Sequence, residues 1–129
     1  VPPGNAFTED QRRDIDKVID DAAGISGREF SVFVGPSQGD TRSAAEAMHR
    51  SLPRPGNSVL IYVDPTQRTV EIVTGASVRR TLSNGQVALA AITMQSAFAA
   101  GDLVRGLRAG IVQLAELAAP VTSLHTDTP

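Results

Sequence analysis

At 129 residues, 41% of them hydrophobic and 4% aromatic, the chain suffices for one domain whose core is built from aliphatic side chains and alanine. A net charge of -2 gives no global attraction for nucleic acid or an anionic membrane, and the lack of cysteine excludes thiol catalysis, disulfides and Cys-ligated zinc. The apolar runs are far shorter than the roughly 20 residues of a membrane helix, so no direct membrane insertion is expected.

Residues 1–6 read as a flexible arm, 7–119 as a single domain and 120–129 as a flexible tail. No leader is visible at Val1-Pro2-Pro3-Gly4-Asn5, which points to the cytoplasm. If the sequence is a fragment of a longer one, membrane association or export is the expectation instead. Thr8-Glu9-Asp10-Gln11 has the spacing of a capping box, with two acids at the positive end of the helix dipole. Ile15, Val18, Ile19, Ala22 and Ala23 form a helical stripe, and Gly24 is placed to end it. The acids between Glu9 and Asp21 read as a solvated outer face.

Glu29 to Val34 alternates, with Phe30, Val32 and Val34 on one side and Ser31 and Phe33 on the other, which predicts a strand ended by Gly35-Pro36. After the loop Ser37 to Thr41, Ala44, Ala45, Ala47 and Met48 mark the apolar face of a helix closed by Leu52-Pro53. Val59-Leu60-Ile61-Tyr62-Val63 is an unbroken apolar run between breakers, the pattern of a strand covered on both faces. Asp64-Pro65-Thr66-Gln67 reads as a four-residue hairpin loop, and Thr69 to Val73 returns antiparallel until Gly75. A strand, a helix and a second strand form a parallel pair, so the apolar run takes the middle of the sheet. A fourth short strand near Ala76-Val78 fits the pattern, which gives three or four strands in all.

Ser83-Asn84-Gly85-Gln86 repeats the capping box before a stripe of Val87, Ala90, Ala91, Met94 and Phe98, and Gly101 stops this helix. Asp102 is placed to cap the last helix, whose stripe runs from Leu103 to Ala118 and whose end is marked by Pro120. Gly106 and Gly110 each cost about 1 kcal/mol against Ala in a helix, so their pairing four apart points to close contact with a neighbouring helix. The predicted architecture is α/β: a three-layer α/β/α sandwich with a small mixed sheet and about four helices.

In a parallel pair both strands deliver their carboxyl ends to one edge of the sheet, where ligands bind. That edge gathers Ser37, Asp40 and Thr41 from one loop and Asp64 from the next, with Arg68 from the hairpin. These five are the candidate ligand-binding residues, with Asp40 and Asp64 the candidate oxygen ligands for Ca²⁺ or Mg²⁺. Each has a structural alternative: Asp40 or Thr41 caps the next helix, Asp64 starts the turn before Pro65, and Arg68 pairs with Asp64. The loop Gly35 to Thr41 is not a nucleotide loop, because Asp40 stands where a Lys meets phosphate. His49 and His125 read as surface residues, and no nucleophile-base spacing is present, so no catalytic residue is assigned. Arg79-Arg80, Arg105 and Arg108 read as helix surface, not as a nucleic-acid site.

Val59 to Asp64 followed by Arg68-Thr69-Val70-Glu71-Ile72-Val73-Thr74-Gly75 resembles the core of the TPM domain, and Phe98-Ala99-Ala100-Gly101-Asp102 with Gly106-Leu107 and Gly110-Ile111 resembles its later segment. The resemblance covers roughly Phe7 to Leu117 and is closest to an actinobacterial subgroup of unknown function. It implies an α/β/α sandwich. It also implies accessory roles in protein complexes or, in some members, an acid phosphatase with divalent cations bound by acidic residues. Asp64 and Gly75 match the family pattern. Arg79 stands where the family has a Glu, and Asn84 where it has an Asp. Two negative ligands are thus gone and a positive charge has arrived, which disfavours a divalent ion. The expected function is therefore a non-catalytic interaction or accessory module with a protein partner, the alternative being a weak metal-dependent phosphatase.

Overall fold

The structure, a computed structural model, describes residues 7–119. The expected arm and tail lie outside the described residues. The elements are α1 (Glu9–Ser26), β1 (Glu29–Val34), α2 (Thr41–Arg50), β2 (Ser58–Asp64), β3 (Thr69–Thr74), α3 (Asn84–Ala99) and α4 (Leu103–Ala118). The sheet order is β1-β2-β3, with β1 parallel and β3 antiparallel to β2. All seven residues of β2 are buried, which is why its sequence shows no alternation.

The two faces of β2 enter different cores. Val59, Ile61 and Val63 meet Phe30, Val34, Val70 and Ile72 and side chains of α1, α3 and α4. Leu60 and Tyr62 meet Val73 and the α2 residue Ala45. Three helices thus cover one face and one helix the other, completing the α/β/α sandwich. Burying each large aliphatic side chain contributes about 1.5–3 kcal/mol, so this central strand anchors both layers.

Both capping boxes form: Thr8 Oγ1 accepts from Gln11 N–H, and Ser83 Oγ accepts from Gln86 N–H. Several boundaries differ from the sequence expectation. Helix α1 runs through Gly24 to Ser26, because Gly27, at φ 72°, is the residue that adopts the left-handed cap. Asp64 is the last residue of β2, paired with Thr69, so the hairpin loop is residues 65–68 and Arg68 takes a φ of 52°. No fourth strand forms at residues 76–78 among the described residues; a 3-10 turn at Val78–Arg80 stands near there. Ala47 is exposed, and Ala45 and His49 hold the buried face of α2. His49 is not a surface residue: its Nε2 lies 3.1 Å from the Ser58 carbonyl. Asp102 occupies the cap position of α4 without a side-chain capping bond and instead pairs with Arg105 at 3.2 Å.

The glycine strip of α4 meets α3. A Cβ on Gly106 would stand 2.4 Å from Ala97 Cβ, and one on Gly110 would stand 2.1 Å from Met94 Cε. Gly106→Ala is expected to destabilise by about 1–3 kcal/mol by overpacking, despite its better helix propensity. Gly110→Ala is expected to cost less, since its neighbour is the end of a flexible Met. Urea unfolding of the two variants beside wild type checks the ranking; equal midpoints for all three would contradict it.

Candidate functional site

At the carboxyl edge of β1 and β2 the chain makes two loops, residues 35–40 and 65–68. The side chain between them is Asp64, which is fully buried. Its Oδ2 accepts from Ser37 N–H at 2.9 Å and Ser37 Oγ at 2.5 Å. Its Oδ1 accepts from Thr66 N–H at 2.9 Å, Thr66 Oγ1 at 2.6 Å and Gln67 N–H at 3.2 Å. A carboxylate offers about four lone-pair directions. Five donors share those directions.

Burial pushes the Asp64 carboxyl up, but the bonds from Ser37, Thr66 and Gln67 outweigh burial and hold it well below the usual carboxylate range. The charge has no cationic partner among the described residues, since no ion pair joins Asp64 to an Arg, Lys or His. It is an anion held by its own two loops. Nearby, burial and then the charge of Asp64 push the Tyr62 hydroxyl up.

The other expected site residues divide into two groups. Thr41 is buried, and its Oγ1 lies 3.0 Å from Ser37 Oγ. Ser37, Thr41 and Asp64 are thus brought together as the spacing predicts. Asp40 sits at the rim, where its Oδ2 accepts from Ser43 N–H and Ser43 Oγ, both at 2.9 Å, and caps α2. The bonds from Ser43, backbone first, lower its pKa. Arg68 stands apart: its side chain makes no ion pair with Asp64, and its carbonyl accepts from Gln95 Nε2 at 3.0 Å.

Two members of the network, Thr66 and Gln67, lie outside the expected site residues. Gln67 Nε2 donates to Ser37 Oγ at 3.2 Å and to the Gly39 carbonyl at 3.1 Å, tying one loop to the other. Thr66 supplies two of the five bonds to Asp64. The Asp-Pro-Thr turn signal marks Thr66 as a local partner; Gln67 has no such signal. Among the described residues no group of three or more His, Asp or Glu is placed to hold a metal ion. The family-divergent positions Arg79 and Asn84 lie elsewhere. They line a cleft beside Thr74, which pairs with Val59 at the opposite end of β2 from Asp64. Arg79 therefore does not oppose an ion held at Asp64, contrary to the expectation from sequence.

A family model described as "Domain of unknown function (DUF5130)" matches residues 2–115. The chain belongs to this family. Two uncharacterized proteins of Mycobacterium tuberculosis, from two strains, are each 34% identical to this DUF5130 domain over 106 residues, 79% of this chain. The aligned stretch spans 64% of those relatives' length. Among solved structures, BA42 from the psychrophilic bacterium Bizionia argentinensis superposes with a TM-score of 0.79 at 23% identity, covering 92% of this chain and 88% of its own. The N-terminal domain of a protein from P. gingivalis gives 0.71 at 21% identity, covering 88% and 76%. The N-terminal domain of the cg2496 protein of Corynebacterium glutamicum gives 0.70 at 15% identity, covering 92% and 79%. These likenesses establish the fold that the DUF5130 domain shares with them. No helix among the described residues is long and apolar enough to cross a membrane.

Proposed function

We propose that this DUF5130 domain is a TPM-like, non-catalytic interaction module that serves a protein partner. One observation carries this reading. The carboxylate best placed for chemistry, Asp64, already accepts five hydrogen bonds, from Ser37, Thr66 and Gln67. A metal-dependent phosphatase needs open coordination positions for ion, water and phosphate. Asp40, which retains exposed surface, caps α2, and among the described residues no group of three or more acids or histidines is placed to hold an ion. The TPM-like part of the reading rests on the hairpin and the Gly-rich last helix.

The test is direct. A generic phosphomonoester is assayed with Ca²⁺ or Mg²⁺, using wild type, Asp40→Ala and a heat-inactivated blank. Hydrolysis at the blank's rate in every sample is the expected result. Saturable, metal-dependent turnover that Asp40→Ala abolishes while the domain stays folded would overturn the proposal.

A further inference from the structure

β3 is an end strand of the sheet, and no strand among the described residues pairs with its outer edge, where Val70, Ile72 and Thr74 are buried beneath side chains of α2 and α3 and the residue Arg79. Its register with β2 turns the backbone groups of Val70, Ile72 and Thr74 outward, because Val63 C=O bonds to Gly35 N–H and the even residues of β2 face β3. Three of these six groups are held by side chains. Gln95 Oε1 accepts from Val70 N–H at 3.1 Å, Arg42 donates to Ile72 C=O at 2.9 Å, and Arg79 donates to Thr74 C=O. The remaining three, Val70 C=O, Ile72 N–H and Thr74 N–H, have no partner among the described residues.

Gln95 reproduces what a neighbouring strand does, since its amide accepts from Val70 N–H while donating to Arg68 C=O. This is how proteins shield a sheet edge. The shield is partial and displaceable. Arg42 also pairs with Glu46 at 3.1 Å and Glu71 at 3.3 Å, so it keeps partners when a strand amide takes its place at Ile72.

The edge forms one wall of an open cleft of about 510 Å³, and Val87, Ala91 and Ile92 of α3 form the opposite wall. Helix α3 carries no charged residue, and Leu89 and Ile92, on one face, are 57% and 63% exposed. An apolar wall alone says nothing about its occupant. Here the backbone donors and acceptors left unpaired do, because amide and carbonyl groups alternating along Val70–Thr74 have the spacing of another extended chain.

We propose that the cleft between β3 and α3 binds an extended peptide segment of a partner protein, which adds to the sheet as a fourth strand with its apolar side chains against α3. The proposal rests on the interaction-module reading above and supplies its docking site. A displayed library of random peptides is selected on the full chain, and the enriched peptides are synthesised with and without backbone N-methyl groups. The expected peptides alternate apolar and polar residues, and binding shifts the amide resonances of Val70, Ile72 and Thr74. Ile92→Glu, at an exposed position that leaves the core untouched, lowers affinity by about tenfold or more. Alternate N-methylation lowers it by a similar factor, a readout that does not depend on any variant folding. The proposal is overturned if no peptide is enriched. It is also overturned if binding ignores N-methylation, or if the shifts map away from β3, to a separate groove between α1 and α4 that Asp14, Arg108 and Val112 line. Concentration-dependent self-association through β3, seen by sedimentation and removed by Ile92→Glu, would overturn it too, naming a second copy as the occupant. Each of these failures leaves the phosphomonoester result unchanged, so the two readings are judged separately.

Discussion

Asp64→Asn is expected to be less stable than wild type by about 1–3 kcal/mol near neutral pH. The substitution keeps size and shape but turns an NH₂ group toward Ser37 N–H, which then faces a donor instead of Oδ2. Asp64→Ala is expected to cost more, about 3 kcal/mol or above, because all five donors lose their acceptor. The pH dependence separates charge from shape. The folded carboxyl has a pKa below its unfolded value, so its stabilisation is fully present above the unfolded value of about 4 and is lost as pH falls below it. Asn does not titrate. The stability gap between wild type and Asp64→Asn should therefore be constant from about pH 8 to pH 5 and shrink below about pH 4. Urea unfolding at a series of pH values measures this, and a gap independent of pH down to the acid limit would contradict it.

Arg28→Lys is expected to destabilise by about 2–4 kcal/mol, and Arg28→Ala by at least as much. The guanidinium is buried at the other end of the sheet. Its Nε donates to Ala118 C=O at 3.2 Å, one terminal nitrogen donates to Asn57 Oδ1 and Ser77 Oγ, both at 2.9 Å, and the other donates to Thr81 Oγ1 at 3.1 Å. It makes no ion pair among the described residues. The carbonyl end of α4 supplies the opposing partial charge. Four fixed directions suit a planar fork and not an ammonium, so retaining the positive charge is not enough. Thermal or urea unfolding with near-wild-type stability for Arg28→Lys would show that charge alone suffices and would contradict this role.

The local features of the fold were legible in the sequence. The pentad 59–63, both capping boxes, the hairpin and the glycine strip each state their structure within a few residues. Gly27 was harder to read than Gly24, because two glycines compete for one helix end and only the position of Ser26 against the core decides. His49 follows Thr41 and Ala45 at four-residue spacing on the buried face of α2, but a histidine does not mark itself as apolar, and its partner, the Ser58 carbonyl, lies across a turn. Arg28 gave no signal at all. Its partners lie 29, 49, 53 and 90 residues away, and no periodicity carries such distances.

At the candidate site the topology was legible and the chemistry was not. Parallel β1 and β2 do bring Ser37, Thr41 and Asp64 to one edge. Residue types alone do not say whether a carboxylate there is open or occupied. That depends on Thr66 and Gln67 turning their amides inward, which is a property of the folded hairpin. The same holds for β3: its sequence alternates like any edge strand, and only the register with β2 reveals which backbone groups face the cleft.

The carboxylate carbon of Asp64, followed by NMR in wild type from about pH 7 down to about pH 2 with and without millimolar Ca²⁺, tests the assignment of Asp64 as a structural anion most directly. The expected result is a resonance that stays ionised well below the ordinary carboxylate midpoint and does not respond to Ca²⁺. A midpoint near 4, or a saturable Ca²⁺-induced shift, would contradict it.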